Sequence, residues 1–488
     1  MIRIITAAWL LGLSALLLLP AAARADAVTD KSCAWLVEPT TDRENILFPE
    51  VTTRYLGAII PALPGGYVEV KGQFPHSRYM SLQTYTATLQ TISNLRDTDI
   101  QPDAGSSNPF LPGADRTAAK RDYTVRVLLQ QAPASGGPPN TLYYLGSAGS
   151  RIGYVLVYRI YLPDAGTQPF GAELAPALTE VLPGGVRVPI PTCPDPVPDT
   201  SFLTNLLAAS GLSDYPLPPI GLFGPKVPAW QKYVNLGVSE VNILTDNQIL
   251  GPLTAPLSAL AANLPAGLGE NADNKYVSSL ISREYGDVVA FHARLPTTPK
   301  TYDGQPTMGT GQMRFWSMCT GDVATQTYDC LVDKDMPLAA DGTYTVAIST
   351  ASDRPANATD DCGVAWLPWG PTIQTGVIMR NMLPDASFTQ SVQSATRGTE
   401  QQTLGPYYPV GTYYATAKAF EDALGCHAPA VAADGDTASD GGSSGSGGGG
   451  GGAFAPGVML MVAGAAGLRG LRRKRAIDAL RCAQHILL

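Results

Sequence analysis

Apolar and polar residues alternate in short stretches along this chain. Val68 and Val70 are separated by charged or amphipathic neighbours, and Val289 and Phe291 repeat the pattern. A period of two is that of a β-strand with one buried face. Further strands, bounded by Gly, Pro and Asn, are predicted at residues 123–129, 154–160, 312–318, 344–349 and 373–380. This arrangement is typical of antiparallel β-sandwiches.

Helical spacing of apolar residues is rarer than alternation. It occurs at residues 173–181, 387–395 and 413–424, and one further candidate helix lies at 202–209. The last of these falls within residues 191–269, a stretch rich in Pro and Leu that we interpret as a connector. We therefore expect a mainly β protein with a few short helices.

The middle of the chain contains an internal duplication. Residues come into register at shifts of 221 or 236 positions: Tyr55 with Tyr276, Arg78 with Arg314, Asp97 with Asp333, and Arg159-x-x-Leu162-Pro163-Asp164-Ala165 with Arg380-x-x-Leu383-Pro384-Asp385-Ala386. The matches are collinear, which indicates two homologous domains. We predict a first β-sandwich module at 26–190 and a second at 270–430.

The charged residues repeated in both copies are interpreted as structural, because a duplicated residue is better explained by the shared fold than by one active site. We expect each repeated arginine to bridge an aspartate of its own copy. The candidate pairs are Arg78 with Asp97 or Asp99, and Arg314 with Asp333 or Asp335.

Several motifs resemble a bacterial family of paired domains of unknown function. The second copy resembles the C-terminal module of that family in three motifs: Phe315-Trp316-Ser317, Asp341-Gly342 before a strand, and Trp366-Leu367-Pro368 before a strand that ends in Arg380. The first copy, with an Arg78-Tyr79 strand and Tyr85, is similar to the N-terminal module. The resemblance implies two tandem homologous β-sandwich modules, jelly-roll-like in form, and it implies no chemistry.

The N-terminus carries an export pattern. Arg3 precedes an apolar run at 4–20, and Ala23-Arg24-Ala25 supplies the small residues of a cleavage site. We predict a signal peptide at 1–25; a retained membrane anchor is the alternative. The mature protein is therefore expected outside the cytoplasm.

The C-terminus carries a second targeting pattern. A Gly/Ser-rich linker at 431–452 is followed by a short apolar segment with a basic cluster at 453–475 and by a tail at 476–488. This order resembles the GlyGly-type C-terminal sorting tails of bacterial exported proteins. It predicts a membrane partner for this segment and a place in the cell envelope or at the surface. A retained single-span anchor is the alternative.

The cysteine count agrees with export. Six of the seven cysteines precede the basic cluster, an even number that predicts three disulfides in an oxidising compartment. Closeness in the chain favours a bond between Cys319 and Cys330, while the other pairings stay open. No C-x-x-C motif supports a zinc site or a thioredoxin-like redox site.

Composition and charge exclude one class of partner. The net charge is -8 and the sequence pI is about 5.1. Such a chain offers no basic surface to neutralise phosphates, so no nucleic-acid partner is expected. Charged residues make up only 15% of the 488 residues, against about a quarter in ordinary domains. The length indicates more than one domain.

Three sets of residues are candidates for chemistry. Oxygen ligands suited to calcium lie at Asp97, Asp99, Asp103 and Asn108, although these residue types also form ordinary turns. His76 is the one candidate general base, since the chain lacks G-x-S-x-G and H-E-x-x-H motifs. Trp366 and Trp369 could stack on a flat ligand or pack in the core. No cofactor other than calcium is suggested.

These patterns leave three hypotheses about function. The absence of catalytic motifs favours a non-catalytic envelope protein that binds a small molecule or an envelope partner. An exported hydrolase that uses His76 is the first alternative, and a structural surface protein is the second. A conserved pocket containing His76 would distinguish the hydrolase from the other two, and aromatic residues lining a groove would distinguish a binding protein from a spacer.

Overall fold

The computed structural model describes residues 33–42, 45–60, 65–86, 89–134, 136–146, 153–193, 227–233, 269–322 and 326–427. The predicted signal peptide, the helix at 202–209, most of the connector and the whole C-terminal pattern from 431 lie outside these ranges. Within the ranges, no helix is long and apolar enough to cross a membrane.

In the described residues up to 193, two sheets form the first half. Their strands are β1 (Thr53–Ile59), β2 (Tyr67–Gln73), β3 (Ser77–Thr86), β4 (Thr91–Arg96), β5 (Asp122–Gln131), β6 (Thr141–Leu145), β7 (Gly153–Pro163), β8 (Ala177–Val181) and β9 (Arg187–Ile190). The orders are β1-β7-β3-β4 and β6-β5-β2-β8-β9. Apolar residues of both sheets, among them Val70, Met80 and Tyr158, form one buried core, so the pair is a β-sandwich.

The described residues from 227 onward form a second pair of sheets. The strands are β10 (Gln231–Lys232), β11 (Asn274–Ser282), β12 (Val288–Arg294), β13 (Met313–Gly321), β14 (Thr327–Val332), β15 (Thr343–Ser349), β16 (Val364–Pro368), β17 (Gln374–Pro384) and β18 (Val410–Tyr414), and the helices are α1 (Glu400–Leu404) and α2 (Ala417–Leu424). The orders are β10-β11-β17-β13-β14 and β16-β15-β12-β18. Their shared core includes Phe291, Trp316 and Val346. The predicted mainly β fold is confirmed.

Strand order and register repeat between the halves, as the duplication predicts. The order β1-β7-β3-β4 corresponds to β11-β17-β13-β14, and β6-β5-β2-β8 corresponds to β16-β15-β12-β18. Arg159 of β7 pairs with Tyr55 of β1, and Arg380 of β17 pairs with Tyr276 of β11. Residues that match in the sequence therefore occupy equivalent positions in the sheets of the two halves.

The predicted helices are corrected at three places. Pro176 interrupts the run at 173–181, and the residues after it form β8, which pairs with β2. Residues 387–395 form turns, anchored where the Asn381 side-chain oxygen accepts the N–H of Val392 at 3.0 Å. The run at 413–424 divides into the end of β18 and helix α2, which begins at Ala417.

A third apolar cluster joins the two halves. Tyr79 and Tyr161 of the first half pack with Phe315 and Met382 of the second, and the rings of Tyr161 and Phe315 are 5.2 Å apart at their centroids. All ten residues of β3 are buried, because one face of β3 belongs to the first sandwich and the other to this interface. The sheets that contain β3 and β13 are therefore inner sheets that face each other.

Ion pairs cross this interface, which corrects the prediction that each arginine bridges its own copy. Arg78 pairs with Asp333, and Arg314 pairs with Asp97 at 3.4 Å. Because the inner sheets face each other, each arginine reaches the aspartate of the other half. Such reciprocal exchange of partners is the mark of a two-fold axis. A pseudo-two-fold axis therefore relates the halves.

Three disulfides lie within the described ranges, as predicted. They join Cys33 to Cys193, Cys319 to Cys330, and Cys362 to Cys426. The predicted bond between Cys319 and Cys330 is confirmed, and its two residues are direct partners across β13 and β14. Three disulfides are typical of a protein from an oxidising, extracytoplasmic compartment.

Candidate functional site

A cleft lies between the two inner sheets, on the pseudo-two-fold axis. Its volume is about 70 Å³, which is room for about five water molecules. Equivalent residues line it from both halves: Phe48 and Gly269, Tyr55 and Tyr276, and Arg159 and Arg380. The remaining lining residues are Leu47, Tyr161, Tyr233, Glu270, Asn271 and Ile378. The two modules thus enclose a cleft with polar and aromatic walls.

Arg159 forms one wall of the cleft. Strand β7 holds it between β1 and β3, and it is only 3% exposed. Its guanidinium donates to the side-chain oxygen of Gln83 at 3.1 Å, to the hydroxyl of Tyr85 at 2.5 Å and to the carbonyl of Gly269 at 2.8 Å. Since Gly269 belongs to the other half, Arg159 ties the halves together at the cleft.

Arg380 forms the opposite wall and is also 3% exposed. Its guanidinium donates to the carbonyl of Phe48 at 2.7 Å and to the Sγ atom of Cys319 at 2.7 Å. Phe48 and Gly269 are equivalent positions, so the two arginines make the same contact in opposite directions across the axis. This reciprocity places two cations on facing walls.

Tyrosine rings fill the space around the arginines. The guanidinium carbons of Arg159 and Arg380 lie 5.9 and 5.8 Å from the ring centres of Tyr55 and Tyr276, respectively. Tyr276 also meets the ring of Tyr233 edge-on, with the centroids 6.1 Å apart. Burial raises the pKa of Tyr276 well above its usual value, so the phenol is neutral. The aromatic faces attract the cations but do not neutralise them.

The cleft carries a surplus of positive charge. In the described part of the chain, neither Arg159 nor Arg380 has a carboxylate within ion-pair distance. Glu270, which also lines the cleft, pairs with Lys275. Glu50 lies near Arg380, but burial raises its pKa against the opposing effects of Thr52 and Arg380. A buried cation without an anion is costly, so a bound anion would be stabilised between these walls.

The calcium candidates have other partners in the structure. Asp97 is buried and accepts the N–H of Met80 at 3.1 Å besides facing Arg314. Asp99 pairs with Arg96, and Asp103 accepts the Thr124 hydroxyl. The Asn108 amide donates to two backbone carbonyls. Calcium binding by Asp97, Asp99, Asp103 and Asn108 stays a prediction, and the contacts seen are those of a folded turn.

A different group of ligand atoms lies together at Glu50, Cys319 and Cys330. One oxygen and the two sulfur atoms lie within 4.8 Å of one another, and this is the one such group in the described ranges. Both sulfurs are joined in a disulfide, and Arg380 contacts one of them. Because thiolates rather than disulfides bind metal ions, these residues do not fit a metal centre in this state.

The two tryptophans of the Trp-Leu-Pro-Trp motif occupy different environments. Trp369 is fully buried in the core of the second sandwich. Trp366 is half-buried; its Nε1 donates to Ser349 at 3.0 Å, and the Arg354 guanidinium lies 4.6 Å from its ring centre. Ligand binding by the pair stays a prediction, to which only Trp366 offers an accessible face.

His76 lies beside Arg121 and is not among the residues that line the cleft. Its ring contacts the guanidinium of Arg121, which also pairs with Glu173. Burial, together with the charges of Arg121 and Arg116, lowers the pKa of His76 to about 4. Since a general base works best with a pKa near the operating pH, this histidine is poorly tuned for hydrolysis at neutral pH.

This environment gives His76 an expected effect on stability. Its folded pKa of about 4 lies below the unfolded value of about 6.5, so the folded state binds fewer protons and stability falls as the pH falls through this window. Between pH 7 and 5 we expect a loss of about 1 kcal/mol, because solvent around the half-buried ring screens the interaction. Urea unfolding of the His76→Gln variant should lack this loss. An equal loss in both proteins would contradict the assignment.

The cleft residues were visible in the sequence as repeats but received only a structural interpretation. Arg159 and Arg380 each interrupt an apolar strand at the same repeat position, and this signal could have marked them. No sequence pattern marked Glu50 as a site residue, because it lies outside the repeated motifs and approaches residues of the second half only in the folded protein.

Comparisons with known proteins assign no function to the chain. No family model matches the sequence, and no curated protein matches it. A crystal structure of an uncharacterised protein from Burkholderia cenocepacia has 11% identity and a TM-score of 0.45, over 81% of this chain and 84% of that chain. The VPA0106 protein from Vibrio parahaemolyticus has 12% identity and a TM-score of 0.32, over 74% and 89%. The chain is thus structurally similar to uncharacterised bacterial proteins.

Proposed function

We propose that this chain is an exported, non-catalytic binding protein of the cell envelope whose inter-sheet cleft binds a small anionic molecule. The observation that carries the proposal is the pair of buried arginines on facing walls, both without a carboxylate partner among the described residues. An anion in the cleft would accept charge-assisted hydrogen bonds from a guanidinium group and offset the positive charge of the walls.

The shape of the cleft supports a small, flat acid. The cleft is small, and the rings of Tyr55 and Tyr276 offer apolar faces beside the guanidinium groups. An acid with a planar carboxylate fits the guanidinium fork, and a flat apolar body fits the tyrosines. A neutral molecule of the same shape would leave the positive charge uncompensated.

Binding can be tested with a matched pair of probes. We expect benzoate to bind at least tenfold more tightly than its neutral counterpart benzamide in isothermal titration calorimetry, since hydrogen bonds to charged groups contribute about 1.5–3 kcal/mol. Replacing Arg159 or Arg380 with glutamine should weaken benzoate binding by about 10–100-fold. The measurement is the dissociation constant at low salt.

Arg126→Gln is the control for this experiment, because Arg126 also stacks on a tyrosine, Tyr67 at 5.2 Å, but does not line the cleft. Its affinity for benzoate should equal that of the wild type. Equal binding of benzoate and benzamide, or equal losses in all three variants, would refute the cleft as an anion site. Thermal melts of each variant separate loss of binding from loss of folding.

The proposed location rests on the ends of the chain. The signal peptide at 1–25 and the apolar and basic segment at 453–475 support export followed by anchoring or sorting at the membrane, and the three disulfides agree with this route. We include in the proposal a distant relationship to the paired-domain family, supported by the repeated strand order of the two halves.

A further inference from the structure

Three reactive groups lie together on only one side of the pseudo-two-fold axis. They are the Glu50 carboxyl and the sulfurs of Cys319 and Cys330, which are 1%, 2% and 7% exposed, respectively. The equivalent positions on the other side of the axis are Asn271 of the second half and Gln83 and Asn94 of the first. Because that side folds with amides at all three positions, the fold does not require the reactive set.

The arginine beside the disulfide favours its reduced form. Arg380 Nη1 donates to Cys319 Sγ, whereas the equivalent atom of Arg159 donates to the amide oxygen of Gln83. A disulfide sulfur is a weak acceptor, but a thiolate would form a charge-assisted pair with the same guanidinium. Stabilising the thiolate makes a disulfide easier to reduce and makes Cys319 the better leaving group.

The Glu50 carboxyl is positioned to exchange a proton with this pair. Its Oε2 atom accepts three hydrogen bonds from Thr52 and Thr53, at 2.6–2.9 Å. Its Oε1 atom is buried and has no hydrogen-bond partner among the described residues. Burial raises the pKa of Glu50, and one of its carboxylate oxygens lies within 4.8 Å of both sulfur atoms.

We propose that Cys319–Cys330 is a redox-active disulfide that exchanges with an external dithiol, with Arg380 stabilising the leaving thiolate and Glu50 supplying a proton. Cys330 is the point of attack, since it is the more exposed of the two cysteines and lies on the edge strand β14. This activity is separate from anion binding, although Arg380 takes part in both sites.

The exchange balances in two steps. A thiolate of the dithiol attacks Cys330 Sγ, the S–S bond breaks, and its electron pair goes to Cys319 Sγ, which leaves as a thiolate beside Arg380. The second thiolate of the dithiol attacks the mixed disulfide and releases Cys330 Sγ, which takes a proton from Glu50. The dithiol loses two electrons and two protons and becomes a cyclic disulfide. One proton replenishes Glu50, and the other goes to solvent.

The test compares the three disulfides within one protein. The full chain is equilibrated with mixtures of reduced and oxidised dithiothreitol, free thiols are alkylated, and each cysteine is quantified by peptide mass spectrometry. We expect Cys319–Cys330 to be half-reduced at a ratio of reduced to oxidised dithiothreitol at least tenfold lower than Cys33–Cys193 or Cys362–Cys426 requires. Tenfold corresponds to about 30 mV for this two-electron couple. If all three disulfides are half-reduced at the same ratio, the proposal is overturned, and this test needs no variant.

Variants assign the roles. For Arg380→Gln, the ratio of reduced to oxidised dithiothreitol that half-reduces Cys319–Cys330 should be about tenfold higher. Arg159→Gln, the equivalent change in the other half, should leave this ratio unaltered. Glu50→Gln should slow the approach to equilibrium about tenfold while moving the midpoint less than Arg380→Gln does. An unchanged midpoint in Arg380→Gln would exclude thiolate stabilisation. An unchanged rate in Glu50→Gln would exclude the proton donor. Benzoate affinity is measured separately, so that failure of the anion-binding proposal can be distinguished from failure of the redox proposal.

Discussion

Replacing Arg78 with alanine is expected to lower the free energy of unfolding by about 3–5 kcal/mol. The Arg78 and Asp333 side chains are 1% and 2% exposed, and each belongs to a different half. The substitution leaves the Asp333 carboxylate buried without its cation and removes the Arg78 contact to the Thr301 hydroxyl. Urea unfolding at neutral pH measures the change, which should appear in one transition for both halves.

The pseudo-equivalent pair supplies the control. Arg314 is 15% exposed and lies 3.4 Å from Asp97, and burial raises the pKa of Asp97 to about 6. Since Asp97 can take up a proton when its cation is lost, Arg314→Ala should cost about 1–2 kcal/mol, less than Arg78→Ala. Arg96 is 38% exposed and pairs with Asp99 at 3.0 Å and with Asp273 at 3.6 Å, so Arg96→Ala should cost about 1 kcal/mol or less, because solvent around the arginine screens both pairs. Equal costs for all three would contradict the assigned role of burial.

The second large effect is expected at Trp369. Its side chain is fully buried in the second core, so Trp369→Ala should lower the free energy of unfolding by about 3–5 kcal/mol through the cavity that it leaves. The same unfolding measurement applies. A loss below about 1 kcal/mol would show that the ring is not a core residue.

Trp366→Ala is the matched comparison within the same motif. The half-buried ring makes one hydrogen bond and one contact with the Arg354 guanidinium, so its removal should cost about 1–2 kcal/mol. Benzoate affinity should be unchanged in the Trp366→Ala variant, since Trp366 does not line the cleft. A tenfold loss of affinity on its removal would move the ligand site to this motif.

Period-two patterns and the duplication were sufficient to predict the sandwich fold, because a buried strand face leaves a direct trace in the sequence. Helical spacing was misleading at 173–181, where Pro176 and pairing with β2 outweigh the local apolar pattern. The bond between Cys319 and Cys330 could be predicted because the two residues are close in the chain. The partners of the other four cysteines depend on how distant segments meet.

The candidate site was harder to predict because it is made by the contact of two halves. The duplication identified Arg78, Asp97, Arg314 and Asp333, but a repeat carries no information about whether partners lie within or between copies. Because the inner sheets face each other, the ion-pair partners lie in different copies. The same arrangement brings Phe48 to Arg380 and Gly269 to Arg159. His76 and the carboxylate loop were noticed for their residue types, which say nothing about surroundings.

The pseudo-two-fold axis limits how a ligand can sit in the cleft. In a symmetric homodimer, each residue beside the axis is present twice, so an unsymmetrical occupant has two equivalent poses. Here both walls belong to one polypeptide, and Cys319 and Ile378 on one side face Gln83 and Val157 at the equivalent positions on the other. For the anion proposed to bind here, this asymmetry predicts a single bound orientation and a stoichiometry of one ligand per polypeptide.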